Sequence, residues 1–310
     1  MELRVEDGCP PTRLDRYLAR HVPSLSRRAL RRFRGKLFVN DRAVPRSTLV
    51  RPGDRIRLPD ELLRSLEPPR AELPELRFLY DDGDLFALDK PPGIPTVQVA
   101  GGDPVSLASG LLGRWPELGS VGSSPGEAGL VHRLDRGTSG VVLGARKPEL
   151  YRELREAFRR RSVRKEYWAL VEGDVAGEGC VSVPLVRGSR RGSVVRPARR
   201  GERGRPAETR FLPVVRYGKV TLLRVTISTG VLHQVRVHLA SVGHPVVGDE
   251  RYGATRFPRL LAPGRHALHA TRIEFDHPSS RERIAVESPL PDDLSRALQE
   301  IRTKGERSGG

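Results

Sequence analysis

Pro59, Pro68, Pro69 and Pro74 fall among charged residues, and this stretch limits the folds open to the chain more than any other. Proline has no amide hydrogen and a locked φ, so a cluster of them ends helices and central strands alike. The chain of 310 residues therefore reads as two units, which its length accommodates. The expected division is a small domain at 1–60, a linker at 61–75, a larger domain at 76–301 and a frayed tail at 302–310.

In the first unit Leu14, Tyr17 and Leu18 lie at i, i+3 and i+4, the spacing of one helix face, behind Pro10 and Pro11. A second helix is expected at once, capped by Ser24 or Ser26, with Leu30 and Phe33 on its apolar side. Arg27, Arg28, Arg31, Arg32, Arg34 and Lys36 load the rest of it without one acidic residue. Leu37-Phe38-Val39, an Asn40-Asp41 turn and the alternating run Arg55-Ile56-Arg57-Leu58 add a short sheet, making a small α/β unit. A charge run is in general simply a solvated face. One of a single sign repels itself until something anionic neutralises it, and that points to nucleic acid. The whole chain agrees, with 55 Lys and Arg against 38 Asp and Glu, a formal charge of +17. The preference for Arg over Lys adds little, because a GC-rich genome produces the same bias.

In the second unit strand patterns fall at 78–80, 85–88, 140–144, 167–171, 211–215 and 220–227, and helical ones near 105–114, 149–160 and 233–242. They do not alternate strictly, so the expected class is α+β, a mainly antiparallel sheet with flanking helices. Residues 187–205, rich in Arg and Gly, read as an exposed basic loop. Cys9 and Cys180 are the only thiols and form no C-x-x-C pair. The opening MELRVEDG is charged, and no run approaches the ~20 apolar residues of a membrane span. A cytoplasmic protein with no membrane partner is expected.

Several chemistries can be set aside. Gly122-Ser123-Ser124-Pro125-Gly126 matches a hydrolase elbow, but Pro125 has no N–H to lend an oxyanion hole. Gly35-Lys36 and Gly218-Lys219 lack the earlier glycine of a phosphate-binding loop. His233 and His238 are five residues apart, off a common helix face, so no metal site is expected. What remains is His132-Arg133-Leu134-Asp135-Arg136-Gly137-Thr138-Ser139-Gly140, a polar loop between apolar Leu130-Val131 and Val141-Val142-Leu143. Asp135, flanked by two arginines, should be ionised and able to act as nucleophile or base. Taken alone, such an aspartate is more simply a turn cap.

This stretch resembles the central H-R-L-D-x-x-T-S-G motif of the RluA-type pseudouridine synthases. The same order is kept by Asp84–Gly93, by Arg164–Gly173 with Tyr167, and by Thr229–Leu239 with Gly243–Asp249 and Tyr252-Gly253. Leu268–Ala270 and Asp276–Pro278 follow as the closing strand. SLSRRALRRFRGKLFVNDRAV with RPGDRIRL is similar to a small RNA-binding module named after a small-subunit ribosomal protein. The resemblance implies isomerisation of uridine to pseudouridine in structured RNA, a reaction that gains and loses no atom and uses neither cofactor nor metal. Large-subunit ribosomal RNA is the foremost substrate and transfer RNA the alternative; a catalytically silent RNA-binding assembly factor is the reading from another class. It further implies Asp135 as the essential carboxylate, Arg236 as its partner and Tyr167 as the ring against the base. Arg133 would fill the gap left by the extruded nucleotide, His132 would be structural, and Arg27, Arg28, Arg31 and Arg32 would grip RNA. A monomer is expected. Val231 stands where the family has Arg, and Gly137 where an acidic or amide residue is common.

Overall fold

A computed structural model describes residues 1–22, 25, 30, 33, 35–66, 73, 75–98, 105–188, 194–255 and 260–307. The first unit comprises β1 (Glu2–Arg4), β2 (Thr12–Arg13), α1 (Leu14–His21), β3 (Leu37–Val39), β4 (Arg42–Val44), β5 (Leu49–Val50), β6 (Arg55–Arg57) and α2 (Asp60–Leu66). Its antiparallel sheet runs β1-β6-β3-β4, and β2 pairs with β5. The Asn40-Asp41 turn between β3 and β4 has positive φ at both residues, 49° and 62°, which Asn and Asp tolerate. Leu14, Tyr17 and Leu18 turn into the small core with Leu25, Leu30 and Ile56, as their spacing requires. Arg27, Arg28, Arg31 and Arg32 lie outside the described residues.

One boundary differs from the sequence expectation. Residues 61–66 are not linker but most of α2, because Leu62 continues the apolar face begun by Leu58 and is fully buried in the small core. Helical spacing over a short segment was hidden by the prolines around it.

The second unit contains β7 (Phe78–Asp81), β8 (Leu85–Lys90), α3 (Leu107–Arg114), β9 (Ser139–Ala145), α4 (Pro148–Arg159), β10 (Arg164–Glu172), β11 (Gly179–Val181), β12 (Leu185–Arg187), β13 (Val195–Pro197), β14 (Thr209–Arg216), β15 (Val220–Ile227), α5 (Gln234–Ser241), β16 (Leu268–Asp276), β17 (Arg283–Glu287) and α6 (Asp292–Arg307). Nine strands form one sheet in the order β11-β14-β15-β10-β16-β9-β8-β7, with β17 added to β16. The pairings are antiparallel except β16 with β9, so the mainly antiparallel α+β class holds. Every residue of β9 is buried, as a strand covered on both faces must be. In α4, Leu150, Tyr151 and Leu154 face the core.

Two further differences appear. Residues 187–205 are not simply a loop: β13 lies within them and pairs with β12, and Val195 buries with Leu185, Ala207 and Val237. The tail is shorter than expected, since α6 carries the chain in helix to Arg307. Among the described residues no helix is long and apolar enough to cross a membrane.

The parallel join positions the polar loop. Ser139 and Gly140 lie opposite His269 and Ala270, so the loop before β9 ends hard against β16. Gly140 has φ of 110°, and a Cβ there would stand 2.1 Å from the Ala270 carbonyl oxygen. Gly140→Ala should therefore destabilise the protein by about 1–3 kcal/mol or more. Urea unfolding followed by tryptophan fluorescence checks this, and an unchanged midpoint would contradict the close approach.

Candidate active site

The loop at 132–138 is held from below by backbone and side chains of distant segments. Thr96 Oγ1 donates to the Leu134 carbonyl at 2.9 Å and accepts from the Leu134 N–H at 3.0 Å. Lys90, at the end of β8, is completely buried and donates to the carbonyls of Pro91, Ile94 and Arg136 at 2.8, 2.7 and 3.3 Å. Burial pulls its ammonium down to about 7. On the other side Arg265 donates to the carbonyls of Gly137, His266 and Leu268 at 2.7, 2.9 and 3.1 Å and to Ser139 Oγ at 3.0 Å. Asp293 of α6 accepts from Arg265 Nε at 2.7 Å. The side chain of Thr138 hydrogen-bonds His266 Nε2 at 2.8 Å. So fixed a backbone aims whatever side chain it carries.

That side chain is Asp135. Its Oδ2 accepts from Arg236 Nη1 at 2.8 Å, while Arg236 Nε and Nη2 donate to the two oxygens of Asp249 at 2.6 and 2.7 Å. Arg236 sits in the first turn of α5, and Gln234 anchors that turn. Gln234 Oε1 accepts from Thr229 Oγ1 at 2.9 Å and its Nε2 donates to the Glu208 carbonyl at 2.8 Å. His233 adopts a left-handed conformation at φ 57° just before α5. Its Nδ1 meets the Tyr252 hydroxyl at 2.7 Å, which leaves Nε2 3.8 Å from Asp135 Oδ1. Burial alone would push the Asp135 carboxyl up, but His233 and Arg236 outweigh it and hold it below its ordinary value of 3.8. Arg236 is correspondingly raised by its two carboxylates against its own burial.

Asp135, Arg236, Tyr167 and Arg133 line one cavity of about 840 Å³. Tyr167 is buried, and burial followed by the Asp135 charge raises its phenol above the ordinary 10.0, so it stays protonated. Among the described residues its hydroxyl has no hydrogen-bond partner. Opposite Glu166 and Tyr167, β16 carries an extra residue, Thr271, and such a bulge re-aims the side chains beside it. His132 is held by the fold around it: its Nε2 accepts from the Leu143 N–H at 3.0 Å and its ring stacks on Phe158. Burial drives it down to about 3, so it is neutral.

Several residues of this site were not singled out from the sequence. Asp249 looks like one more turn acid until the fold brings it to Arg236. Arg152, Arg155 and Arg159 recur at i, i+3 and i+7 on α4, a legible helical stripe, and all are exposed at the cavity wall. Arg133, Arg187 and Arg205 are exposed there as well. Lys165 lies deeper, on β10 two residues before Tyr167, and burial pulls it down to about 8.

The two departures from the family pattern also have structural settings. A Cβ on Gly137 would stand 2.4 Å from the Gly264 carbonyl oxygen and 2.8 Å from the His266 ring, so a larger residue has no room there. Val231 packs against the cluster of Leu185, Val195, Ala207 and Val237, where its apolar side chain suits its neighbours.

An ionised carboxylate fixed under a basic cavity, on a mixed sheet, describes an enzyme that works on a polyanion. The chain belongs to the RNA pseudouridylate synthase family, whose profile matches residues 84–241. It is 34% identical to ribosomal large subunit pseudouridine synthase D of Nitrosomonas europaea over 97% of this chain and 88% of that one. It is likewise 34% identical to ribosomal large subunit pseudouridine synthase C of Escherichia coli O157:H7 over 94% of this chain and 93% of that one. The solved structure of human RNA pseudouridylate synthase domain containing 1 superposes with a TM-score of 0.53 and 25% identity, over 74% of this chain and 95% of that one. The protein is an RNA pseudouridine synthase.

Replacing Arg236 tests the ion pair. With His233, Arg236 opposes burial, and Arg236→Ala removes both its charge and its hydrogen bond, so the Asp135 carboxyl should rise and the acid limb of kcat/KM should move to higher pH. The native enzyme should keep its activity down toward pH 3.8, to the extent that it stays folded. The rate at neutral pH should fall by about 100-fold or more, and Arg236→Lys, which loses the fork geometry, should recover little of it. An acid limb unmoved in Arg236→Ala would mean the pair does not set the charge of Asp135.

Proposed function

We propose that this enzyme converts uridines of folded large-subunit ribosomal RNA to pseudouridine, with Asp135 as its essential carboxylate. The observation that carries the reading is the Asp135–Arg236 contact of 2.8 Å at the cavity that Tyr167 also lines. The isomerisation needs a charged carboxylate to attack the sugar or base or to take a sugar proton, and a dry site that retains the detached base. Arg236 keeps Asp135 ionised and aimed. Tyr167 stacks its ring on the base and sets its hydroxyl near the proton that must leave. Arg133, exposed at the cavity mouth, occupies the gap when the target nucleotide turns out of its helix. The relatives named for the large ribosomal subunit support ribosomal RNA over transfer RNA.

Binding is divided between two regions in this reading. The arginines of α4 contact phosphates beside the target, and Arg27, Arg28, Arg31 and Arg32 of the first unit grip RNA as well. The enzyme acts as a monomer in the cytoplasm.

Asp135→Asn should abolish pseudouridine formation in a tritium-release assay while RNA affinity stays within a few-fold, since the amide keeps shape and loses charge. Turnover near wild type would end the assignment, and pseudouridine maps of ribosomal and transfer RNA with and without the gene decide the substrate. Deleting residues 1–66 or replacing Arg152 and Arg159 together by Ala should each weaken RNA binding and flatten its salt dependence, by ~0.7–0.9 log unit per lost phosphate contact. An unchanged slope in either variant would remove that region from the RNA path.

A further inference from the structure

The cavity holds its cations in two tiers. Arg133, Arg152, Arg155 and Arg159 are exposed at its wall, where a ribose-phosphate chain can reach them. Arg236 and Lys165 are each only 6% exposed. Arg236 is committed to Asp135 and Asp249. Lys165 is different: its Nζ donates to the Thr229 carbonyl at 2.8 Å and stands 5.5 Å from the Phe158 ring centre. Among the described residues no carboxylate lies within ion-pair distance of it. A buried ammonium with one neutral acceptor retains donors that a ligand can use, and desolvation makes any such contact strong.

We propose that Lys165 is a catalytic residue that stabilises the detached uracil by donating to its carbonyl oxygen. The proposal rests on the functional reading above and deepens it. When the N1–C1′ bond breaks, its electron pair leaves with the base, and the negative charge spreads from N1 to O2 and O4. C1′ is satisfied by the Asp135 carboxylate or by loss of the 2′ proton to it. After rotation C5 bonds to C1′ as the Asp135–C1′ bond breaks and its electron pair returns to the carboxylate, or, in the elimination route, as Asp135 returns the proton to C2′; C5 then releases its proton and N1 gains one, so atoms and electrons balance. A donor placed where charge develops lowers this barrier without binding the neutral base as strongly. Lys165 shares a strand face with Tyr167, two residues on, so a base lying on the Tyr167 ring has its edge toward the ammonium. Depth argues against a phosphate here: the flipped base enters the cavity floor, whereas the backbone stays with the exposed arginines.

The test compares leaving groups. Ribosomal RNA transcribed with uridine or with 5-fluorouridine is given to the intact wild type, Lys165→Met and Lys165→Arg under single turnover, and loss of the target nucleoside is followed. Fluorine stabilises the uracil anion, so 5-fluorouridine depends less on a donor. Lys165→Met should slow uridine by about 100-fold with RNA affinity within a few-fold, and slow 5-fluorouridine at least tenfold less. Lys165→Arg should keep the wild-type ratio between the two nucleosides. Should Lys165→Met fail to fold, Lys165→Gln, whose side chain is neutral but polar, carries the same comparison. Equal slowing of both nucleosides would overturn the proposal in favour of a structural role. Weaker binding with an unchanged rate would overturn it in favour of a phosphate contact. Failure of the wild type on uridine would overturn the functional reading instead, and this proposal with it.

Discussion

Arg236 joins two parts of the domain that the chain keeps a hundred residues apart. Its fork is bonded on one edge to both oxygens of Asp249 and at its remaining nitrogen to Asp135. Removing three charges from water is costly, and the cost is offset only if each finds a partner in good geometry. Here one guanidinium serves two carboxylates. Asp249 is almost fully enclosed and takes the bidentate edge, whereas Asp135 accepts a single bond and keeps some exposure to the cavity. The asymmetry sets the two acids apart: one fixes the arginine, the other is left with an oxygen outside that bond at the cavity.

The rest of the domain serves to bring these groups together and keep them still. The polar loop ends against β16 at a glycine, while Lys90, Thr96 and Arg265 bond its carbonyl oxygens or amide from either side. Two of these three supports are buried cations whose acceptors are mainly neutral carbonyls, so they hold the loop without competing with Arg236 for Asp135. Arg265 also ties the loop to α6 through Asp293, which makes the last helix part of the scaffold of the site.

Positive charge is thereby sorted by depth. Arginines stand in water around the cavity, where their forks suit phosphate and their contacts weaken with salt. Arg236 and Lys165, deeper in the same cavity, lie in a low dielectric, where a charge has a greater effect on its neighbours than it has in water. One formal excess of basic residues in the composition thus covers two physical tasks.

Much of this was legible in the chain. Apolar runs at 85–88, 140–144, 167–171 and 220–227 are strands in the fold, because alternation or continuous apolarity leaves a short segment few other ways to bury itself. The loop between Val131 and Val141 stood out for its polar residues, and family resemblance paired Asp135 with Arg236 across the sequence. Local pattern also misled at 61–66, where Leu62 buries in the small core among prolines and charges that obscured it, and at 302–307, where the last helix runs on to Arg307. Asp249, Lys165 and Arg265 were beyond its reach as site residues. What distinguishes them is the absence or presence of a partner across the fold, and partners distant in sequence meet only when the sheet closes. Residue type and order determined which chemistry the chain can perform. Tertiary structure decided which charges are buried, which are shared and which are left free to act, because desolvation and pairing are properties of the folded surroundings.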